Sequence, residues 1–255
     1  KVYSSTEINH NTSNAPDLTN RQGFGASVAS LGDMDSDGVV DIAVGTQGLY
    51  GMWASPWDYF GNNVNGAVYI MYLNSDGSVK STVTIDKDTA NGAGSSADHG
   101  YGQSIASLGD LDGDGVTDIA VGDIKEDSNK GRIFIHYLNA NGSVKSTVEI
   151  KHGTTNGPSL DSSDFYGMSI ANMGDLNDDG VIDIAVGAPG DDDAGSNTGG
   201  VYIHYMNTNG SMDSTVKLTY DTENGASLGS GNSIPGNFQY GYAVANIGDL
   251  DDDGI

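Results

Sequence analysis

Short apolar runs separated by glycine and aspartate turns recur along the chain, and their spacing predicts β-strands throughout. In three places an Asp-Ile-Ala-Val-Gly run, at 41–45, 118–122 and 183–187, is apolar on both faces, as a strand covered on both sides must be. Ahead of each lies a short strand of small residues, 27–31, 104–108 and 169–173, opened by an aromatic-glycine pair: Phe24-Gly25, Tyr101-Gly102 and Tyr166-Gly167. A fourth pair, Tyr240-Gly241, predicts the same strand over 243–247. After each Asp-Ile-Ala-Val-Gly run comes a nearly continuous apolar segment, 67–73, 132–138 or 200–206, also predicted to be covered on both sides. Turns at 74–78, 139–143 and 207–211 then carry Asp-Gly or Asn-Gly, whose tolerance of positive φ makes them strong hairpin signals. The strand beyond alternates, with Val79, Ser81, Val83 and Ile85 on one face and Lys80, Thr82 and Thr84 on the other. Met212, Ser214, Val216 and Leu218 oppose Asp213, Thr215 and Lys217 in the same way. Such alternation suits an outer, wet edge.

These elements form a repeat organised around one stretch, 32–45, which returns at 109–122, at 174–187 and, interrupted by the last residue, at 248–255. The first Asp of each copy falls at 33, 110, 175 and 249, so the repeats measure 77, 65 and 74 residues. The differences lie in two connections: 20, 8 and 11 residues before the third strand, and 15, 15 and 21 after the fourth. Residues 2–25 align without gaps on 144–167, which makes 1–23 the outer strand of a preceding unit with its connection. The expected class is all-β, a β-propeller of four-stranded antiparallel blades, with a solenoid as the alternative. Blades are expected at 24–100, 101–165 and 166–239, with the start of another at 240–255, so three whole blades lie between partial ones. Three blades cannot close a ring, and a fragment of a larger propeller is expected.

Composition narrows the function. The net charge of −25, with 10 Lys and Arg, argues against nucleic acid and anionic membrane surfaces and makes cations the natural counterpart. Of 31 Asp, 16 lie in the four copies of the central stretch, a concentration that solubility alone does not require. No apolar run is long enough to span a membrane as a helix. The absence of Cys excludes disulfides and thiolate metal sites.

Within the central stretch, Asp at positions 1, 3, 5 and 9 and Gly at position 6 place carboxylates on the concave side of a tight loop, with a backbone carbonyl from position 7. The predicted ligands are Asp33, Asp35, Asp37, Val39 and Asp41 in the first copy, and Asp110, Asp112, Asp114, Val116 and Asp118 in the second. In the third they are Asp175, Asn177, Asp179, Val181 and Asp183. Asp249, Asp251 and Asp253 form a partial fourth set that lacks its position-9 Asp. Calcium is favoured because the donors are all oxygen and mostly carboxylate, whereas magnesium tends to keep its waters. The EF-hand reading fails at position 12, where Val44, Val121 and Val186 stand in place of a bidentate Glu. The bland alternative is a merely polar turn, but the repetition of the loop at one point of each unit argues against it.

The aromatic-glycine pair, the short strand, the Gly-Asp-x-Asp-x-Asp-Gly-x-x-Asp-Ile-Ala-Val-Gly stretch and Gly187-Ala188-Pro189 together resemble the FG-GAP repeat, the blade of integrin α-subunit propellers and of many secreted surface proteins. Gly45-Thr46-Gln47 and Gly122-Asp123-Ile124 depart from the Gly-Ala-Pro element. The resemblance implies a propeller with calcium in the loops between the first two strands of certain blades.

Both tryptophans, Trp53 and Trp57, lie with Tyr59 in the connection before 67–73, where they could stack on sugar rings, bury a partner's loop or simply cap a neighbouring blade. Asp191, Asp192 and Asp193 could hold a further ion or be solvated. Asn11, Asn141 and Asn209 open glycosylation sequons. His136 and His204 align with Met71 and read as packing residues. No Ser/His/Asp or Cys/His set stands out, so a non-catalytic, calcium-binding, extracellular module is expected, secreted or displayed at a cell surface. Its partner would be a protein or glycan at a cell surface or matrix, or another copy of itself. The alternative is a module of a larger secreted enzyme or a carbohydrate-binding protein.

Overall fold

Each predicted unit folds as one antiparallel sheet of four strands, and the three sheets follow one another along the chain. The computed structural model describes residues 5–9, 11–16, 18, 23–47, 65–94, 100–195, 198–219, 222 and 239–248. The first sheet runs β1 (Gly23–Gly32), β2 (Asp41–Gln47), β3 (Ala67–Leu73), β4 (Val79–Ile85), with each strand beside its sequence neighbour. The second contains β5 (Tyr101–Gly109), β6 (Asp118–Asp123), β7 (Arg132–Leu138) and β8 (Val144–Lys151). The third contains β9 (Ser169–Gly174), β10 (Asp183–Ala188), β11 (Gly200–Met206) and β12 (Met212–Leu218). The architecture is an incomplete β-propeller.

Burial follows the hydrophobic pattern. Strands β6, β7 and β10 are buried at every position. The fourth strands depart from the expected strict alternation: Val79, Val144 and Met212 are buried and Lys80, Lys145 and Asp213 exposed, but Ser81, Ser146 and Ser214 are exposed too, because a register shift inserts one residue at 80, 145 or 213. A second expectation is corrected. Residues 243–247 form no strand; only an isolated bridge joins Tyr240 to Gly199. A strand needs a neighbour to complete its ladder, and no described segment supplies a second strand there. The strand expected at the start of the chain falls partly on residues outside the description, and residues 5–8 form none.

Adjacent sheets meet through an absent side chain. A Cβ on Gly45 would lie 2.2 Å from the Gly102 carbonyl oxygen, on Gly122 2.1 Å from that of Gly167, and on Gly187 1.8 Å from that of Gly241. The glycine ending each Asp-Ile-Ala-Val-Gly run is therefore required by the next aromatic-glycine pair. Those carbonyls are also held by serine: Ser27 Oγ donates to Gly102 O at 2.9 Å, Ser104 Oγ to Gly167 O at 2.7 Å and Ser169 Oγ to Gly241 O at 2.9 Å. Farther out, Tyr72 donates to the Ala140 carbonyl and Tyr137 to that of Thr208, tying each sheet to the hairpin of the next.

The histidines do more than pack. In the second sheet the Tyr101 hydroxyl lies 2.8 Å from His136 Nε2, and His136 Nδ1 lies 2.7 Å from the Thr147 hydroxyl, which donates to the Asn91 carbonyl. Tyr166, His204, Thr215 and Asn156 repeat this chain in the third sheet. In the first sheet Phe24 and Met71 replace the polar pair, and only the last link, Thr82 to the Asn14 carbonyl, survives. Asn14, Asn91 and Asn156 all have positive φ, at 60°, 59° and 55°. Burial pushes both imidazoles down to about 3, so they are neutral at ordinary pH.

Candidate metal centres

The Asp-rich loops join the first and second strands of each sheet, and their shape comes from two left-handed residues. Position 4 has φ of 62° at Ser36, 79° at Gly113 and 60° at Asp178; position 6 has 86° at Gly38, 88° at Gly115 and 87° at Gly180. Glycine adopts that conformation without penalty, and a short polar residue tolerates it. The backbone thus turns back on itself within five residues.

The predicted ligands then divide by role. The position-1 carboxylate collects the amides across the turn: Asp33 Oδ1 accepts from Asp37 N and Oδ2 from Gly38 N. Asp110 and Asp175 repeat both bonds. Position 5 accepts from the position-7 amide, pairing Asp37 with Val39, Asp114 with Val116 and Asp179 with Val181. The position-9 carboxylate is fully buried and anchors the loop to the sheet. Asp41 accepts from Met34 N and, across the sheet, from Leu73 N; Asp118 accepts from Leu111 N and Leu138 N, and Asp183 from Leu176 N and Met206 N. This clamping was not legible in the sequence, which presents position 9 as simply another ligand.

Carboxylate oxygens of Asp33, Asp35 and Asp37 lie within 4.8 Å of one another, as do those of Asp110, Asp112 and Asp118. Asp41 lies outside the first of these triads and Asp114 outside the second. Asp175, Asp179 and Asp183 form no such triad, and Asn177 turns its amide to donate to Asp179 Oδ2 at 2.9 Å. Asp249, Asp251 and Asp253, like Trp53, Trp57 and Tyr59, lie outside the described residues.

Two lysines complete the first two loops. Lys80 Nζ, from β4, sits 2.6 Å from Asp35 Oδ2 and 2.7 Å from Asp37 Oδ2. Lys145, from β8, sits 2.7 Å from Asp112 Oδ2 and 2.6 Å from Asp114 Oδ2. These ammonium groups, with the loop amides, hold Asp37 and Asp114 below the usual carboxylate range. The buried carboxylates move oppositely. Burial raises Asp41 and Asp183 and pushes Asp118 up to about 6, helped by the neighbouring loop carboxylates and opposed by the amides. Converging oxygen donors beside a buried carboxylate that resists ionisation fit a hard divalent cation of calcium's type.

A further group of charges lies where the third strand of the second and third sheets begins. In the second sheet Arg132, 1% exposed, bonds the buried Asp123 at 2.8 Å and Glu149 at 2.7 Å. The third sheet has Gly200 in place of Arg132, and Lys217 bridges Asp191 and Asp193, both at 2.6 Å. Asp161, Asp192 and Asp193 also converge within 4.8 Å. Lysine thus neutralises part of the run that the sequence left open to a further ion or to solvent.

The family model of the FG-GAP repeat matches residues 101–136, which run from the aromatic-glycine pair of the second sheet to His136. Human integrin alpha-11 is 31% identical over 167 residues, and chicken (Gallus gallus) integrin alpha-6 is 34% identical over 170, each match covering 66% of this chain. Integrin alpha-3 of Cricetulus griseus is 30% identical over 192 residues, 73% of this chain. The matched regions cover 12%, 14% and 16% of those three relatives, so the chain spans only a small part of their length.

Proposed function

This chain is an FG-GAP repeat protein similar to integrin α subunits, and from that premise we propose that it is a calcium-stabilised, extracellular binding module of the adhesion type. The blades are 24–100, 101–165 and 166–239, flanked by parts of others at 1–23 and 240–255. The observation that carries the reading is the convergence of Asp33, Asp35 and Asp37, and of Asp110, Asp112 and Asp118, within 4.8 Å at equivalent points of successive sheets. Carboxylates so close repel one another, and a divalent cation removes that repulsion while closing the loop. Position 1 shapes the turn, position 9 anchors it, and positions 3 and 5 face the remaining space. The third loop takes part with Asp175, Asn177, Asp179, Val181 and Asp183. Cation-ordered loops at one end brace the blades, which then carry a binding surface for a protein or glycan of a cell surface or matrix, with Trp53, Trp57 and Tyr59, in the connection that leaves the opposite end of β2, as contact residues.

The test is thermal unfolding with calcium and with chelator, paired with binding of the loaded protein to immobilised matrix proteins and glycans. With calcium at about ten times the dissociation constant, each site adds roughly 1.4 kcal/mol to the folded state. Three sites would then raise the melting temperature by about 10 °C. Identical melts overturn the calcium reading, and turnover of a polysaccharide substrate overturns the non-catalytic one.

A further inference from the structure

The fourth strand of every sheet carries one bulged residue at an equivalent register position, and in the first two sheets that residue reaches the Asp-rich loop. Lys80 lies between the pairs Leu73↔Val79 and Tyr72↔Ser81, Lys145 between Leu138↔Val144 and Tyr137↔Ser146, and Asp213 between Met206↔Met212 and Tyr205↔Ser214. One register position is therefore cationic in the first two sheets and anionic in the third. The two lysines reach position 3 and position 5 together, and the oxygen they take at position 5 is the Oδ2 of Asp37 or Asp114. In the third loop the same oxygen, Asp179 Oδ2, accepts from the neutral Asn177 amide.

We propose that this bulge residue sets the order of cation affinity among the three loops: Lys80 and Lys145 are tethered competitors that occupy the ligand carboxylates of the first two, while Asp213 leaves the third free to bind tightest. The inference rests on the calcium reading above and concerns which residues tune it. Counting ligands alone gives the opposite order, because the third loop has Asn177 where the others have Asp35 and Asp112. Counting charge reverses it. Asp33, Asp35, Asp37 and Asp41 with Lys80 carry a net −3, as do Asp110, Asp112, Asp114 and Asp118 with Lys145. Asp175, Asp178, Asp179, Asp183 and Asp213 carry −5.

The lysine acts in both states of its loop. Without a divalent ion its ammonium offsets part of the repulsion between positions 3 and 5. When the ion enters, the flexible four-carbon stem lets the ammonium withdraw into solvent, with side chains already 41% exposed at Lys80 and Lys145. Binding at these loops is an exchange of one cation for another and is weakened accordingly. A unit charge a few Å from a divalent ion, even at the screening of exposed sites, corresponds to about tenfold in affinity.

Calorimetric calcium titration of the full chain tests this with Lys80→Met/Lys145→Met, Lys80→Arg/Lys145→Arg and Asp213→Lys. The unmodified protein should show one tighter and two weaker sites. The methionine pair should tighten the two weaker sites about tenfold and lower the melting temperature in chelator. The arginine pair should restore the original affinities, and Asp213→Lys should weaken the tight site about tenfold. Three sites whose affinities do not respond to the methionine pair or to Asp213→Lys overturn the lysine proposal while leaving the calcium reading intact. No binding in the unmodified protein or any variant overturns both. Lys80→Gln/Lys145→Gln, which stays polar at these exposed positions, serves if the methionine pair folds poorly.

Discussion

Strands β1 and β5 have the same sequence pattern and opposite surroundings. Val28 and Ile105 occupy the same register, opposite Val44 and Val121, yet Val28 is 60% exposed and Ile105 8%. β5 touches β1 and β2 on one side and β9 on the other, so it is enclosed between sheets; β1 meets a neighbouring sheet only on the β5 side among the described residues. A propeller blade is therefore half of an interface: its own residues predict its strands, and its neighbours decide which of them leave water. The interior of the second sheet differs in sequence as well, since it encloses the polar pair Tyr101 and His136 where the first has Phe24 and Met71.

Filling the space between sheets is expected to have the largest effect. Gly122→Ala sets a methyl group 2.1 Å from the Gly167 carbonyl oxygen, and backbone on that side cannot yield cheaply. A loss of about 3 kcal/mol or more is expected in denaturant unfolding, with the second and third sheets no longer packed as they are. Removing matched apolar groups gives the next largest effect. Ile105→Ala should cost about 2–4 kcal/mol and Val28→Ala less than about 0.5 kcal/mol in the same assay. Equal losses would mean that the exposed side of β1 is covered in solution.

A smaller loss than that of Ile105→Ala comes from converting the second sheet's polar pair into the first sheet's. His136→Met alone leaves the buried Tyr101 hydroxyl without its partner and should cost about 2 kcal/mol. Adding Tyr101→Phe should recover most of that loss, because both polar groups are then gone. The pair also carries a pH signature. Folded His136 and His204 have values near 3, below the ordinary 6.5, so between those limits the unfolded chain binds protons that the folded chain refuses. Each imidazole therefore makes stability fall as pH drops from 6.5 toward 3, at about 1.4 kcal/mol per pH unit in mid-window. In the double variant the slope should lose the contribution of one proton.

Most of this protein is legible from short stretches of chain. The apolar runs, the Asn-Gly and Asp-Gly hairpins and the glycines of the Asp-rich loops specify twelve described strands with boundaries close to those expected, because alternation and left-handed turns depend on residues only a few positions apart. Segment 243–247 shows the limit of that logic, since it has the strand pattern but no described partner with which to form a ladder. The loop carboxylates are legible too, and their division of labour is not. That Asp41 clamps Leu73 N depends on a contact 32 positions away, and that Lys80 fills the space between Asp35 and Asp37 on contacts 45 and 43 positions away. The requirement for glycine at position 122 comes from a carbonyl on the next sheet. Local sequence determines the strands, the turns and the supply of oxygen ligands. Tertiary structure decides which charge stands beside each loop and which apolar face is covered, because both depend on residues that only the packing of successive sheets brings together.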